Sequence, residues 1–377
     1  MIYLDNSAGT RPYPEVVATI TDVLTSHWGN ASADNSFGKD AMYIVDGITN
    51  QVADDINCNP DELIWTSGAC EANSLAIMGV LNANPHMHFY TTHIEHTSID
   101  ETVKNIAGHY IGFIRNNPDG AVDLIDLENK LKISNQCGAK ILVSISASNS
   151  EIGVTQDLRV ISNIVHKYGG IFHTDATQAY PWFQINVRDL GIDMMSVSGQ
   201  KMHCVKGIGF LFIRNDIKIK PMIYGTQQDG RRGGSYPTHL IAAFGKALEL
   251  TRLCDHKSNV SKYRDELLRK LLMVDGTKLN GPANGLRLPN NISLTIDGVN
   301  ANTLVTMCDF MGVVIAKGSA CKSYEPTPSK TLIAIGLTPE QALNTIRITL
   351  DEFNTEEEIN TAADIITKLV ERIRNDN

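Results

Sequence analysis

Short apolar runs alternate with amphipathic stretches through the first two thirds of the chain. Residues 63–66, 140–146 and 193–198 each contain a short run of mostly apolar residues with polar residues beside it, which is typical of buried strands. Residues 158–168 instead repeat apolar side chains every three to four positions, as a helix does. Strands that alternate with helices predict a mostly parallel sheet covered on both faces, and therefore an α/β fold.

The pattern changes near residue 255. A long charged helix is predicted over 258–273, an alternating strand over 292–296, and a final helix from about 355 to 374. We therefore expect a large α/β domain over residues 13–254. A smaller α+β domain is expected from residues 1–12 together with 255–377.

Composition narrows the classes of protein that remain. The 377 residues are 42% hydrophobic and carry 33 Lys plus Arg against 42 Asp plus Glu, a net charge of −9. This is globular composition, and its acidic balance argues against direct binding of nucleic acid. No apolar run approaches the roughly 20 residues of a membrane span. We predict a cytoplasmic protein that binds neither nucleic acid nor membrane.

The seven cysteines are scattered, at positions 58, 70, 137, 204, 254, 308 and 321. They form no CxxC pair and no Cys/His cluster with metal spacing, so neither a disulfide framework nor a metal site is predicted.

Three polar groups follow predicted strands, where ligands of an open α/β sheet gather. The run Ser67–Gly68–Ala69–Cys70 opens a helix whose N–H groups suit a phosphate, although a plain capped turn has the same sequence. Asp175 could hold a cationic ring nitrogen or cap a helix. Lys201 follows Ser198 and could be a Schiff-base nucleophile or a solvated charge. Together the three supply what pyridoxal phosphate needs.

With these groups, several motifs resemble the cysteine desulfurases of the iron–sulfur-cluster type, in the class V aminotransferase superfamily. The resemblance runs nearly end to end and implies the fold type I of pyridoxal-phosphate-dependent transferases. It is carried by the segments 3–8 (YLDNSA), 29–32 (GNAS), 66–69 (TSGA), 95–96 (EH), 149–153 (NSEIG), 175–178 (DATQ), 198–201 (SGQK), 206–209 (KGIG), 318–321 (GSAC) and 346–347 (IR).

The resemblance implies a role for each matching residue. Lys201 binds the cofactor covalently, Asp175 pairs with its ring nitrogen, and His96 stacks on the ring and transfers protons. Gln178 donates to the ring oxygen, and the phosphate is held by Ser198, Gln200, Ala69 and Cys70. Arg347 clamps the substrate carboxylate, with Asn149 and Ser150 beside the substrate. Cys321 is the nucleophile that becomes a persulfide.

Three positions depart from the family pattern. Cys70 stands where a threonine is usual, Gln200 where a histidine is usual, and Ser150 where an asparagine is usual. We expect the departures to affect the affinity for the cofactor and the rate of the reaction. The type of reaction should not change, because no group that the reaction requires is missing.

The implied reaction converts L-cysteine to L-alanine and passes sulfur from Cys321 to an acceptor protein. That acceptor is an iron–sulfur scaffold, a tRNA thiolation protein or a DNA phosphorothioation partner. The resemblance also implies a homodimer, in which Ser235 of the loop 225–235 completes the phosphate site of the neighbouring subunit. The alternatives are another class V enzyme, such as a selenocysteine lyase or an aminotransferase, and a scaffold without catalysis.

Overall fold

The computed structural model describes residues 1–253, 256–283, 285–318 and 327–376. Its strands are β1 (Ile2–Tyr3), β2 (Leu63–Thr66), β3 (His88–Thr92), β4 (Tyr110–Ile114), β5 (Ile141–Ser144), β6 (Ile171–Asp175), β7 (Met194–Ser198), β8 (Gly209–Ile213), β9 (Thr277–Leu279), β10 (Asn291–Ile296), β11 (Val313–Val314), β12 (Ala316–Lys317) and β13 (Thr345–Thr349). Its α-helices are α1 (Pro14–Ser26), α2 (Ser36–Ile56), α3 (Ala69–Ala83), α4 (Thr97–Lys104), α5 (Leu124–Gln136), α6 (Leu158–Lys167), α7 (Thr238–Leu253), α8 (His256–Leu271), α9 (Ala301–Phe310), α10 (Lys330–Ala334), α11 (Pro339–Leu343) and α12 (Glu356–Asn375).

The large sheet has the strand order β2-β8-β7-β6-β5-β3-β4. Strand β8 runs antiparallel to both of its neighbours, and the pairs from β7 to β4 are all parallel. Both faces are buried: Phe210 and Phe212 pack into one apolar cluster, whereas Leu211 and Ile213 pack into another on the opposite face. The predicted α/β fold with a mostly parallel sheet is confirmed.

A second sheet lies in the last third of the chain, in the order β12-β13-β10-β9, with antiparallel pairing throughout. Its apolar side chains pack with α8, α9 and α12 in a separate cluster that includes Leu294, Ile348 and Ile366. Helix α12 begins with a capping box, in which Thr355 accepts from the Glu358 N–H and the Glu358 side chain accepts from the Thr355 N–H.

The N-terminal segment joins the two sheets. Strand β1 pairs in parallel with β11, and Leu4 is fully buried in the cluster of the second sheet. A few residues later, the Thr10 N–H donates to the Gln200 carbonyl next to the large sheet. These contacts agree with the expected assignment of residues 1–12, while the domain boundaries themselves stay a prediction.

Several strands end at one edge of the large sheet. Because β2, β6 and β7 all point the same way, Thr66, Asp175 and Ser198 lie at this edge, and Gly209 opens the antiparallel strand β8 there. The candidate site residues predicted from the sequence, among them Asp175, Ser198 and the run 67–70, lie at or next to this edge.

In the part of the chain that the structure describes, no helix is both long and apolar enough to cross a membrane. The same residues contain no group of three or more His, Cys, Asp or Glu side chains that could hold a metal ion.

Replacing Leu4 with alanine tests the anchoring of the N-terminal segment. We expect Leu4→Ala to lower the free energy of unfolding by about 2–5 kcal/mol, because it empties a fully buried position. Leu24→Ala on α1 is the matched control, since Leu24 is 53% exposed and the same change there removes little burial. Denaturant titrations of both variants measure the difference, and equal effects would contradict the anchoring.

Candidate active site

Two glycines bring three chain segments into close contact at the sheet edge. Gly68 has φ +141°, a conformation that other residues rarely adopt, and a Cβ added there would lie 3.4 Å from Ser198 Oγ. A Cβ on Gly209 would lie 2.3 Å from the Val197 carbonyl oxygen and 2.8 Å from Gly68 Cα. The turn before α3 therefore lies directly against the end of β7.

This turn forms a site suited to an anion. Helix α3 begins at Ala69, and among the described residues no side chain caps it. The N–H groups of its first turn and the positive end of its dipole therefore suit a phosphate, with the Ser198 hydroxyl close to the turn. The expected contacts of Ala69, Cys70 and Ser198 thus fit the local geometry.

The first turn of α3 also carries an ion pair. Glu71 accepts from Arg232 Nε at 2.7 Å and from the Ser67 N–H at 2.7 Å. Burial opposes ionisation of Glu71, but the hydrogen bonds from Arg232 and Ser67 hold its pKa below the usual value. Arg232 thus balances a carboxylate beside the phosphate site. The same loop places Ser235 in a cavity of about 210 Å³ with Ser67 and Gly207.

Asp175 ends β6 and is only 6% exposed. Its Oδ2 accepts from Asn73 Nδ2 at 2.7 Å, and its Oδ1 accepts from the Thr177 N–H at 2.9 Å. A carboxylate held by donors from two elements can face a cationic ring nitrogen in a fixed orientation.

Lys201 follows β7 in a short 3₁₀ turn. Its Nζ donates to the carbonyl oxygens of Ser7 and Ala8, both at 2.7 Å, and Gln178 Nε2 also donates to the Ser7 carbonyl at 3.2 Å. Burial, followed by the positive charge of Arg347, lowers the pKa of Lys201 to about 8. Such an amine is partly neutral near physiological pH and can act as a nucleophile or base.

Arg347 lies on β13, and its Nη2 pairs with Asp5 Oδ1 at 2.7 Å. Within the described residues its buried Nε has no hydrogen-bond partner. A guanidinium has five N–H donors, so this one retains capacity for another carboxylate. The predicted role of Arg347 in holding a substrate carboxylate fits this geometry.

His96 is the N-cap of α4, where its Nδ1 accepts from the Ser98 N–H at 3.1 Å. The Ser98 hydroxyl lies 2.8 Å from the same nitrogen and 3.0 Å from Asn73 Nδ2. Sequence reasoning missed both Asn73 and Ser98. Helical spacing from Cys70 was the available signal for Asn73, since residues three apart share a helix face.

Asn149 and Gln200 show mainly structural contacts. Asn149 Nδ2 donates to the Ile94 carbonyl at 2.7 Å, and its Oδ1 accepts from the N–H groups of Glu151 and Ile152. The Gln200 carbonyl accepts from Thr10. The Ser150 carbonyl likewise accepts from Asn291 Nδ2, at 3.2 Å. The substrate and phosphate roles expected of these side chains stay predictions.

Cys321 lies outside the described residues, as does the whole segment 319–326. Its role as the nucleophile therefore rests on the sequence and stays a prediction.

Two buried glutamates near the site were given no role by the sequence. Glu95 accepts from Thr92 Oγ1 at 2.7 Å and from the Ser146 N–H at 2.9 Å, joining the ends of β3 and β5. Glu151 accepts from Ser329 Oγ at 2.7 Å. Burial raises the pKa of each carboxyl to about 7.

The residues at this edge fit pyridoxal phosphate. An uncapped helix N-terminus suits its phosphate, a buried carboxylate suits its ring nitrogen, and a lysine of lowered pKa suits its aldehyde. The fold and this set of groups together define a pyridoxal-phosphate-dependent transferase of fold type I.

Comparison with known proteins leads to the same class of protein. The model of the class-V aminotransferase family matches residues 2–361, and the chain belongs to that family. One relative is the cysteine desulfurase IscS of Clostridium botulinum (strain Hall), 33% identical over 382 residues that cover 99% of this chain and 95% of the relative. The predicted resemblance is confirmed.

Solved structures are also similar over nearly the whole chain. A NifS-like protein matches with a TM-score of 0.90 at 26% identity, covering 98% of this chain and 99% of its own. SspA in complex with cysteine matches with a TM-score of 0.82 at 27% identity, covering 94% of this chain and 100% of its own.

The lowered pKa of Lys201 can be measured without the cofactor. We expect Lys201 of the cofactor-free protein to react with acetic anhydride with a pH midpoint of about 8, as followed by mass spectrometry of the peptides. Arg347→Gln removes a positive charge that disfavours the ammonium form, so the midpoint should rise.

Lys167 serves as the internal control for this titration. Its hydrogen bond to Glu128 raises the pKa of Lys167 above the ordinary value, so it should react only at higher pH. If Lys201 and Lys167 reacted with the same pH midpoint, burial would not be lowering the pKa of Lys201.

Proposed function

We propose that this protein is a pyridoxal-phosphate-dependent cysteine desulfurase. It converts L-cysteine to L-alanine and carries the released sulfur as a persulfide on Cys321. The observation that carries the proposal is that Asp175 ends β6 and Lys201 follows the neighbouring parallel strand β7, so that the two charges interact at one edge of the sheet. It is supported by a relative named cysteine desulfurase that matches 99% of the chain.

The cofactor would be held by groups at the ends of β6 and β7, in the turns that follow them, and at the starts of α3 and α4. The first N–H groups of α3 and the Ser198 hydroxyl would take the phosphate, with Gln200 near it. Asp175 would pair with the ring nitrogen, Gln178 would donate to the ring oxygen, and His96 would stack on the ring. When bound, pyridoxal phosphate supplies an electron sink that makes the Cα–H of an amino acid acidic.

The side chains of the protein then have separate roles in binding and deprotonating the substrate. Arg347 binds the carboxylate of L-cysteine through its remaining donors, and Asn149 and Ser150 lie on the segment expected beside the substrate. The Lys201 amine, neutral above a pKa of about 8, takes the proton from Cα.

Sulfur transfer requires a thiolate at residue 321. As the thiolate attacks the substrate sulfur, an S–S bond forms and the C–S bond of the substrate breaks. The carbon left behind takes a proton and becomes the methyl group of L-alanine, and Lys201 returns a proton to Cα. The outer sulfur of the persulfide leaves Cys321 as a thiolate when an acceptor thiol or a reductant attacks that sulfur.

Four broader features belong to the same proposal. The chain divides into a domain over 13–254 and another over 1–12 plus 255–377. It forms a homodimer in which Ser235 reaches the neighbour's phosphate site. It acts in the cytoplasm, and it delivers sulfur to an acceptor protein of iron–sulfur assembly, tRNA thiolation or DNA phosphorothioation.

Replacing Lys201 tests the cofactor site. We expect Lys201→Ala to lower sulfide release at least about 100-fold, because the group that takes the Cα proton is lost. Borohydride reduction should fix the cofactor to the wild type and to Lys167→Ala but not to Lys201→Ala. A reducible cofactor label on another lysine would contradict the assignment.

Replacing Cys321 separates a desulfurase from other class V enzymes. Cys321→Ser should still bind the cofactor and change its absorbance when L-cysteine is added, because Lys201 and Arg347 are intact. It should release no sulfide and acquire no label from ³⁵S-cysteine, since a hydroxyl cannot form a persulfide. Cys137→Ser is the matched control, because Cys137 is exposed after α5 and has no assigned role.

Peptide mapping of the labelled wild type completes this test. Label on residue 321 is the expected result. Label on another cysteine, or full turnover by Cys321→Ser, would overturn the mechanism, and an active aminotransferase that never labels would indicate the alternative enzyme class.

A further inference from the structure

A chain of hydrogen bonds links Asp175 to His96. Asn73 Nδ2 lies 2.7 Å from Asp175 Oδ2 and 3.0 Å from Ser98 Oγ. Ser98 Oγ in turn lies 2.8 Å from His96 Nδ1. The chain crosses from β6 through α3 to α4, and it joins the carboxylate expected at the cofactor ring nitrogen to the histidine expected on the ring.

The direction of the first two bonds in this chain is set at Asp175. A carboxylate oxygen accepts, so the side-chain nitrogen of Asn73, and not its oxygen, must face it. The second proton of the same NH₂ group is then directed to Ser98 Oγ. Asn73 is fully buried, so solvent does not offer its amide group another partner.

Donor and acceptor can also be assigned at the imidazole of His96. Because Ser98 Oγ accepts from Asn73, its own proton is available to His96 Nδ1. The Ser98 N–H donates to that same nitrogen at 3.1 Å. An N–H group cannot accept, so a proton on Nδ1 would face the Ser98 N–H, and Nδ1 must therefore be the acceptor. The proton of the neutral ring then lies on Nε2.

We propose that Asn73 and Ser98 are positioning residues that fix His96 in the Nε2–H tautomer. His96 then offers an N–H rather than a lone pair from Nε2. In the reaction proposed above, on which this role rests, His96 acts as a hydrogen-bond donor, and Lys201 removes the proton from Cα.

Nitrogen NMR of the histidine rings tests the tautomer directly. The full-length protein loaded with pyridoxal phosphate is labelled with ¹⁵N in its imidazoles, and the His96 signals are identified by their loss in His96→Gln. We expect Nδ1 to show the shift of an unprotonated nitrogen and Nε2 that of a protonated one. The cofactor-free protein should give the same result, because no bond of the chain involves the cofactor.

Serine variants test the source of the effect. Ser98→Ala removes one of the two donors to Nδ1 and should lower the ratio of Nε2–H to Nδ1–H about five- to tenfold. Ser98→Thr retains the hydroxyl and should restore the wild-type ratio. Ser74→Ala is the matched control, since the Ser74 hydroxyl contacts Thr102 on α4 without reaching His96.

Either of two results would overturn the proposal: a proton on Nδ1 in the wild type, or an unchanged ratio in Ser98→Ala. The readout does not depend on turnover. A protein that shows the expected tautomer but releases no sulfide would leave the tautomer and its fixation by Ser98 standing and refute the proposed function. A protein that releases sulfide from L-cysteine but carries the proton on His96 Nδ1 would refute only the positioning role.

Discussion

A buried carboxylate needs hydrogen-bond donors, and the arrangement of this site depends on how Asp175 obtains them. One donor is the Thr177 N–H just after β6, and the other is Asn73 on α3. Losing either would leave charge without compensation in the interior, which is costly. The register of α3 against β6 is therefore constrained by electrostatics as well as by packing, and the orientation of Asn73 follows from it.

The N-terminal segment is the second constraint on the site. The carbonyl groups of Ser7 and Ala8 hold the Lys201 amine, while Asp5 pairs with Arg347. Burial and Arg347 lower the pKa of Lys201, whereas Asp5 and Asp175 oppose them. Residues 5–8 thus position both Lys201 and Arg347, and the charge of Asp5 partly offsets the effect of Arg347 on the pKa of Lys201.

Sequence patterns predict the main chain here better than the side-chain network. Runs rich in apolar residues locate β2, β5 and β7, because strands buried on both faces carry mostly apolar side chains on both sides. Motifs locate Lys201 and Asp175 at strand ends. Ser98 stands out in no pattern, and Asn73 does so only by its spacing from Cys70, because a small polar residue in a helix is usually solvated. The partners of Asn73, which are Ser98 and Asp175, lie 25 and 102 positions from it along the chain.

Asn149 illustrates the opposite difficulty. Its motif suggests a ligand contact, while its amide group holds a turn together through three backbone bonds. A motif records that a residue type is required at a position, and a turn can require asparagine as strictly as a substrate can.

The bonds of the N-terminal segment also set the order in which the chain can mature. Ser7 meets Lys201 across 194 residues, and Asp5 meets Arg347 across 342. During synthesis the first eight residues leave the ribosome long before β13 exists. Closing loops of this length comes late in folding because their entropy cost precedes any gain. The large sheet can thus form on the nascent chain, while the pocket becomes competent only after β13 has been synthesised.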